Sequence, residues 1–508
     1  MGDGTHVHAV EVHNVVKSFG GVVALDHVNF NLYEGEVHAL LGENGAGKTT
    51  LSNILCGLYR SDAGSIVVGG TERHFQNPAQ SIEAGIGMVH QHFKLVNSMS
   101  VAENLQLGSP ETPRVVSFKT LVKRARQMMD EVGLNVDPTA KIWQLSVGEQ
   151  QRVEIVRVLA RGARVLILDE PTAVLTAVEA QELFTVMRQL VAGGRTIVFI
   201  SHKLNEVLQV SDRVTVLRGG KHVITRDAAG ATARELARLM TGEEMGIEVR
   251  HREVTGDPVL ELRGVSARNS RGVVALHDVD LMVRGGEIMG IAGVSGNGQT
   301  ELAEVITGMR SSETGSITIS SVDVSKASTR RIADLGVGHI PEDRIGVGMV
   351  ATAPVKDNAI LRHYRTTDLS SRQFLRRDRI LDFAKGIVET GRVQTRSVHT
   401  PAGQMSGGNQ QRLVARRESL VAQRLLVAAH PTRGLDVLAT KQVQSAIIER
   451  RDAGCAVVMI SDDLDEIMMV ADRIAVMYEG KVMGVFDRAE FDREHIGLLM
   501  GGRVEAAS

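Results

Sequence analysis

Short apolar runs alternate along this chain with longer segments in which apolar positions recur at helical spacing. Val37-His-Ala-Leu-Leu41, Val165-Leu-Ile-Leu168 and Thr196-Ile-Val-Phe-Ile200 predict buried strands, and the stretch from Glu179 to Val191 predicts a helix. That alternation predicts a mainly parallel sheet covered by helices, an α/β class. From about Pro78 to Ile142 the pattern is mostly helical, which predicts a helical subdomain inserted into the core, with a counterpart in the second half of the chain. No apolar run approaches the roughly 18 residues that a spanning helix requires. Met1 to Val10 lacks the basic start and apolar core of a signal peptide. A role at a membrane is therefore expected to come through a partner, without direct insertion.

The pattern is also duplicated. Gly21-Val-Val-Ala-Leu25 recurs at Gly272-Val-Val-Ala-Leu276, an offset of 251. Leu145-Ser-Val-Gly-Glu-Gln-Gln-Arg152 answers to Met405-Ser-Gly-Gly-Asn-Gln-Gln-Arg412, and Ser211-Asp-Arg-Val-Thr-Val216 to Ala471-Asp-Arg-Ile-Ala-Val476, both at an offset of 260. Three blocks in one order argue for gene duplication over chance similarity, with nine residues gained in the second copy. The polar stretch from about Glu243 to Pro258 reads as a linker. The expected division is a first domain over 6–245, a linker over 246–257 and a second domain over 258–504.

Composition narrows the class. A chain of 508 residues exceeds what one core usually organises. A formal net charge of -2, from 58 Lys+Arg and 60 Asp+Glu, gives no reason to expect nucleic acid as a partner. Cys56 and Cys455 lie in separate halves without CxxC spacing, so neither a disulfide framework nor a zinc site is indicated and a reducing compartment fits.

The first copy carries residues suited to phosphate transfer. Gly42-Glu43-Asn44-Gly45-Ala46-Gly47-Lys48-Thr49 follows an apolar strand and precedes a helical pattern from Thr50 to Gly57. Glycines there let backbone N–H groups converge on phosphates at a helix N-terminus, Lys48 adds positive charge and the Thr49 hydroxyl can ligate Mg²⁺. A glycine-rich turn ending a strand is the plainer alternative. Val165-Leu-Ile-Leu-Asp169-Glu170 is an apolar strand ending in two carboxylates, Asp169 suited to the Mg²⁺ shell and Glu170 to polarising the attacking water. The alternative there is an N-cap pair ahead of Pro171. His202, just after Thr196 to Ile200, could hold the water in line, and Gln91 could sense Mg²⁺ or water. A lone histidine is more often structural, and Gln91 alone would be uninformative.

Taken together, Gly42 to Thr49, Gln91, Leu145 to Glu149, Asp169-Glu170, Thr172 to Thr176 and His202 resemble the ordered motifs of ABC transporter ATPases. The resemblance implies two tandem P-loop NTPase domains, each with a RecA-like α/β core, an inserted helical subdomain and an antiparallel β-subdomain. It implies ATP and Mg²⁺ as cofactors. It also implies head-to-tail pairing, in which each nucleotide lies between one domain's phosphate loop and the other's signature. Phe19 then stands at the adenine-stacking position, and Thr50 closes the phosphate loop. Trp143, just before the first signature, is expected to be a packing residue.

The second copy departs at the active centre. Its loop, Gly293-Val-Ser-Gly-Asn-Gly298-Gln299-Thr300, has glutamine where the first has Lys48. Ala429 and His430 replace the two carboxylates, Asp462 replaces His202, Ser270 stands at the position of Phe19 and Glu342 near that of Gln91. By contrast its signature, Ser406-Gly407-Gly408-Asn409-Gln410, is close to ideal, whereas Ser146-Val147-Gly148-Glu149-Gln150 is not. If the copies pair, Lys48, Asp169, Glu170 and His202 meet Ser406 to Gln410 in a site that turns over. Gln299, Ala429 and His430 meet Ser146, Gly148 and Glu149 in one that does not.

The fused copies, the degenerate second half and Pro431-Thr-Arg-Gly-Leu-Asp436 resemble sugar-type importers. Gly85 to Phe93, Val101-Ala-Glu-Asn104 and Ala428-Ala-His-Pro-Thr-Arg433 resemble the nucleoside-uptake branch. The implied setting is the cytoplasmic face of the plasma membrane. There the chain would act as a peripheral subunit with two integral permease subunits and, indirectly, a substrate-binding lipoprotein. A monosaccharide importer is the alternative, and a soluble twin ATPase of ribosomes or DNA a more distant one.

Overall fold

A computed structural model describes residues 7–90, 93–108, 116–172, 175, 177–201, 203–242, 254–371 and 374–502. The chain divides into two compact units, Met1–Gly246 and Ile247–Ser508. The segment expected to link them lies largely outside the described residues, and the first strand of the second unit begins at Pro258.

In the first unit six strands form one sheet in the order Lys221–Asp227, Arg213–Arg218, Val37–Leu41, Thr196–Ile200, Val165–Asp169, Ile86–Val89. Only the outermost pair, Arg213–Arg218 with Lys221–Asp227, is antiparallel. Val37–Leu41 and Thr196–Ile200 are buried at every residue, as strands covered on both faces must be. Ile86–Val89 falls inside the stretch that sequence pattern reads as mostly helical. It is a four-residue apolar run, too short for its periodicity to separate strand from helix, and pairing with Val165–Asp169 decides the matter.

A second, antiparallel sheet has the order Val22–Tyr33, His8–Phe19, Ala63–Val68, Thr71–Arg73. Its inward residues Val12, Leu25, Val28 and Phe30 join Leu51, Ile54, Ile167 and Val198 in one apolar cluster, so this sheet and the phosphate-loop helix share a core. The helical subdomain contains Val101–Gln106, Phe118–Val132 and Val147–Leu159. Ser100 and Glu103 cap its first helix reciprocally. Buried Asn104 accepts from the Val96 amide at 2.8 Å and donates to the Val96 carbonyl at 3.2 Å, pinning the preceding loop.

The second unit repeats this plan. Its main sheet has the order Val337–Ile340, Leu425–Ala429, Ala456–Ser461, Ile288–Ala292, Arg473–Tyr478, Lys481–Asp487. Asn358 holds the Val350 amide and carbonyl at 2.8 and 2.9 Å, as Asn104 does its loop. The short hairpin of Ser370–Ser371 with Phe374–Leu375 falls between Asn358 and the helix Arg377–Thr390, a stretch where the second copy is the longer. Among the described residues no helix is long and apolar enough to cross a membrane.

Candidate nucleotide sites

Four parallel strands of the first unit end side by side. Leu40 and Asp169 both register with Ile200, and Leu168 with Val89. The loops that leave this edge carry Gly42 and Glu170, two of the four places where sequence pattern expects chemistry, and ligands of open α/β sheets bind at such an edge. Gln91 and His202, expected on the same edge, lie outside the described residues.

The phosphate loop turns on glycines at Gly42, Gly45 and Gly47, whose φ angles are 156°, 83° and 103°. A Cβ at Gly47 would come within 2.8 Å of the Ala24 carbonyl oxygen, so only glycine fits this bend against the neighbouring hairpin. Gly47 caps the helix Lys48–Leu55 without a side-chain acceptor, leaving its first N–H groups directed at the loop. Lys48 is buried and donates from Nζ to the carbonyls of Gly42 at 2.7 Å and Glu43 at 3.1 Å. Its ammonium is thus held at the centre of the loop, while the Thr49 side chain stays exposed.

Asp169 and Glu170 do not cap a helix, since the next helix begins only at Ala177. Glu170 adopts φ 47°, a left-handed conformation uncommon for glutamate, and its N–H donates to the Ile200 carbonyl at 2.9 Å. The chain therefore turns sharply where the strand ends. Burial, reinforced by the Glu170 charge and only partly offset by Lys48, pushes the Asp169 carboxyl up to about 6. Beyond this turn Thr172 donates to Glu206 at 2.5 Å, and Ser201 accepts from the Lys203 amide at 3.0 Å. The loops following both strands are thus fixed to the helix Leu204–Val210.

Phe19 is 42 % exposed at a strand end, with its ring edge-on to Tyr59 at 5.2 Å and Lys17 above it at 5.4 Å. An exposed aromatic pair suits a planar ligand. Sequence pattern does not single out Tyr59, which only the fold brings to Phe19. Trp143 is 67 % exposed, contrary to the packing role expected from sequence. Ile142 takes the buried position in that short turn, and the neighbouring tryptophan is directed outward.

In the second unit the same edge has different contents. His430 repeats the left-handed turn, with φ 44° and its N–H on the Ile460 carbonyl at 2.8 Å. Gln299 is 2 % exposed, and its Oε1 accepts from the Asn297 amide at 3.2 Å. Ala429 offers no ligand. Asp462 takes the Ser295 hydroxyl at 3.2 Å and faces His430 Nδ1 at 3.5 Å. Burial would raise Asp462, but His430, Arg433 and Ser295 outweigh it and hold the carboxyl near 2. The second loop is thus tied down by its own side chains. Ser270 and Arg310, the latter paired with Glu304, stand where the first unit has Phe19 and Tyr59.

The signature segments begin helices of 13 and 15 residues, Val147–Leu159 and Gly407–Val421. At the first, Ser146 and Glu149 cap each other reciprocally, at 2.8 and 3.2 Å, which places a carboxylate on the helix N-terminus. At the second, Asn409 stands in place of Glu149 and donates to Ser406 Oγ at 2.9 Å, leaving that hydroxyl's proton available. Gln150 and Gln410 make the same bond, to the carbonyls of Leu145 and Met405.

A family model described as ABC transporter matches residues 25–173 and again 276–433. The chain is 44% identical to the glucose import ATP-binding protein TsgD13 of Haloferax volcanii, over 98% of this chain and 96% of that one. It is 42% identical to the guanosine import ATP-binding protein NupO of Bacillus subtilis, over 98% of each chain. To the nucleoside import ATP-binding protein NupA of Lactococcus lactis it is again 42% identical, over 97% of this chain and 98% of that one. With both halves matched and the likeness spanning nearly every residue, this chain belongs to the ATP-binding subunits of the ABC transporter family, with two ATPase domains in one polypeptide.

Proposed function

We propose that this chain hydrolyses ATP to drive import through a membrane permease, with nucleosides as the transported class, and that one of its two nucleotide sites performs the hydrolysis. The carrying observation is the contrast at the two sheet edges: Lys48, Asp169 and Glu170 against Gln299, Ala429 and His430.

In the working site Lys48 and the loop N–H groups hold the phosphates. Phe19, with Tyr59, stacks on the base. Glu170 accepts a proton from the attacking water, and His202 holds that water in line. The donor set fits Mg²⁺, because a buried acid raised by its acidic neighbour lacks the positive charge that a cation would bring, and the exposed Thr49 hydroxyl lies at the head of the adjoining helix. Thr49, Asp169 and Gln91 would hold the ion, which when bound neutralises charge on the β- and γ-phosphates. The second unit's loop, with Gln299, Ala429 and His430 at its edge, has neither the lysine nor the acid pair and does not turn over.

Closure of the domains on ATP would move the helical subdomains and with them two permease subunits at the cytoplasmic face. A glucose-type cargo is the second reading, favoured by the 44% identity to the Haloferax volcanii relative. Transport into vesicles holding the reconstituted complex decides between them. ATP-dependent uptake of guanosine or other nucleosides with no uptake of glucose or ribose is expected, and the reverse would overturn the assignment.

A further inference from the structure

Thr172, the second residue beyond Glu170, is held at two atoms by two residues that are themselves paired. Its hydroxyl donates to Glu206 at 2.5 Å, and its carbonyl accepts from Lys203 Nζ at 3.4 Å. Lys203 Nζ in turn lies 3.2 Å from Glu206 Oε1. Ser201 joins the same group, since its hydroxyl donates to Glu206 at 3.4 Å and accepts from the Lys203 amide at 3.0 Å. Thr172 is 2 % exposed, so the tie is made inside the fold. Each residue of the turn is therefore fixed by a different means. Glu170 is fixed by its N–H on the Ile200 carbonyl, Pro171 by its ring, and Thr172 by Lys203 and Glu206.

The second unit keeps only part of this arrangement. Thr432 and Ser461 donate to Glu466 at 2.5 and 2.8 Å, as Thr172 and Ser201 do to Glu206. The lysine is gone. Asp463 stands in its place and accepts from the Glu466 amide at 3.2 Å, capping the helix Leu464–Val470. Gln444, where the first unit has Phe184, gives Glu466 a third donor at 3.2 Å. Lys203, by contrast, gives its helix no side-chain cap. A cap is a local gain that the first unit forgoes, and the group standing there instead reaches across to the loop that follows Glu170. What both copies share serves the shape of the turn, and what only the first has accompanies the acid pair.

We infer that Lys203 is a positioning residue for ATP hydrolysis: with Glu206 it holds Thr172, and through Thr172 it fixes the direction of the Glu170 carboxylate. The inference rests on the proposed role of Glu170 as general base. A side chain on a left-handed turn has no regular element behind it, so its aim depends on what pins the residues on either side. A displacement of about 1 Å at a reacting group can cost on the order of 10²-fold, and a tie two residues removed should cost less.

The test uses the full chain and reads kcat and KM for ATP separately. Lys203→Met should lower kcat by about 5- to 20-fold and leave KM within about twofold. Lys203→Arg, which keeps a cationic donor, should recover most of the loss. Repeating Lys203→Met in a Glu170→Gln background, in single-turnover measurements, separates positioning from general damage to the site. If Lys203 acts through Glu170, its removal there costs less than about twofold, because no base is left to aim. An equal loss in both backgrounds, an unchanged kcat in the parent chain, or a loss confined to KM overturns the inference while Glu170 keeps its role. Glu170→Gln without effect on turnover overturns both. Lys203→Asp, which installs the residue of the second unit, carries the same comparison if Lys203→Met folds poorly.

Discussion

The two units share strand order, a left-handed turn after the strand next to the parallel end of the sheet and a buried asparagine in the helical subdomain, yet at the sheet edge they differ in charge and in what their side chains are bonded to. In the first, Lys48 donates to two carbonyls of its own loop, and burial together with the Glu170 charge raises Asp169 against a partial offset from Lys48. In the second, Asp462 accepts from the Ser295 hydroxyl and lies 3.5 Å from His430 Nδ1 across the same space. Catalytic sites keep groups in unfavourable electrostatic surroundings so that substrate can relieve them. A site that has lost its chemistry can settle into internal contacts instead. The backbone is kept in both, because the turn at residue 170 or 430 belongs to the sheet and not to the reaction.

That difference can be broken at its strongest point first. Glu170→Gln should lower ATP turnover by about 10²- to 10⁴-fold while leaving nucleotide bound, measured by phosphate release beside equilibrium binding. Turnover within about threefold of the parent chain would remove Glu170 as the general base. Lys48→Gln, which gives the first loop the residue of the second, should cost about 10- to 100-fold in kcat/KM. An unchanged value would mean that the lysine is not what separates the two loops.

A smaller effect concerns stability without nucleotide or metal. The native Asp169 carboxyl titrates at about 6, above its ordinary value of 3.8, so the folded chain binds the proton more tightly than the unfolded chain. Folding is therefore penalised progressively as pH rises from about 4 to 6, and fully above that. Asp169→Asn should raise stability by about 1 to 2 kcal/mol at pH 8 and by almost nothing at pH 4. Thermal unfolding at the two pH values checks the sign. The smallest expected effect is that of Gln299→Ala, which should leave ATP turnover within about twofold. A loss matching that of Lys48→Gln would show that both sites hydrolyse.

Much of this molecule can be read in its residues alone. The repeat, the phosphate loop and the replacement of Lys48 by Gln299 and of Asp169 by Ala429 are local patterns, and local spacing is what a sequence carries. Three of the strands were also visible as apolar runs. Ile86–Val89 was legible only as the strand end expected just before Gln91, because four residues have no readable period until a neighbouring strand pairs with them.

Other features depend on residues far apart in the chain. Tyr59 comes to Phe19 only through the packing of the hairpin sheet, and Trp143 is outward because Ile142 took the buried place in their turn. The left-handed backbone at Glu170 follows from a bond to Ile200, in a strand that begins 26 residues further on at Thr196. The sequence by itself determined which chemical groups each copy retains and which it has lost. Only the tertiary structure decided their electrostatic state: the raised Asp169, the lowered Asp462 and the acid-capped first signature. Charge environments are set by burial and by neighbours across the fold, and neither quantity is written in the order of residues.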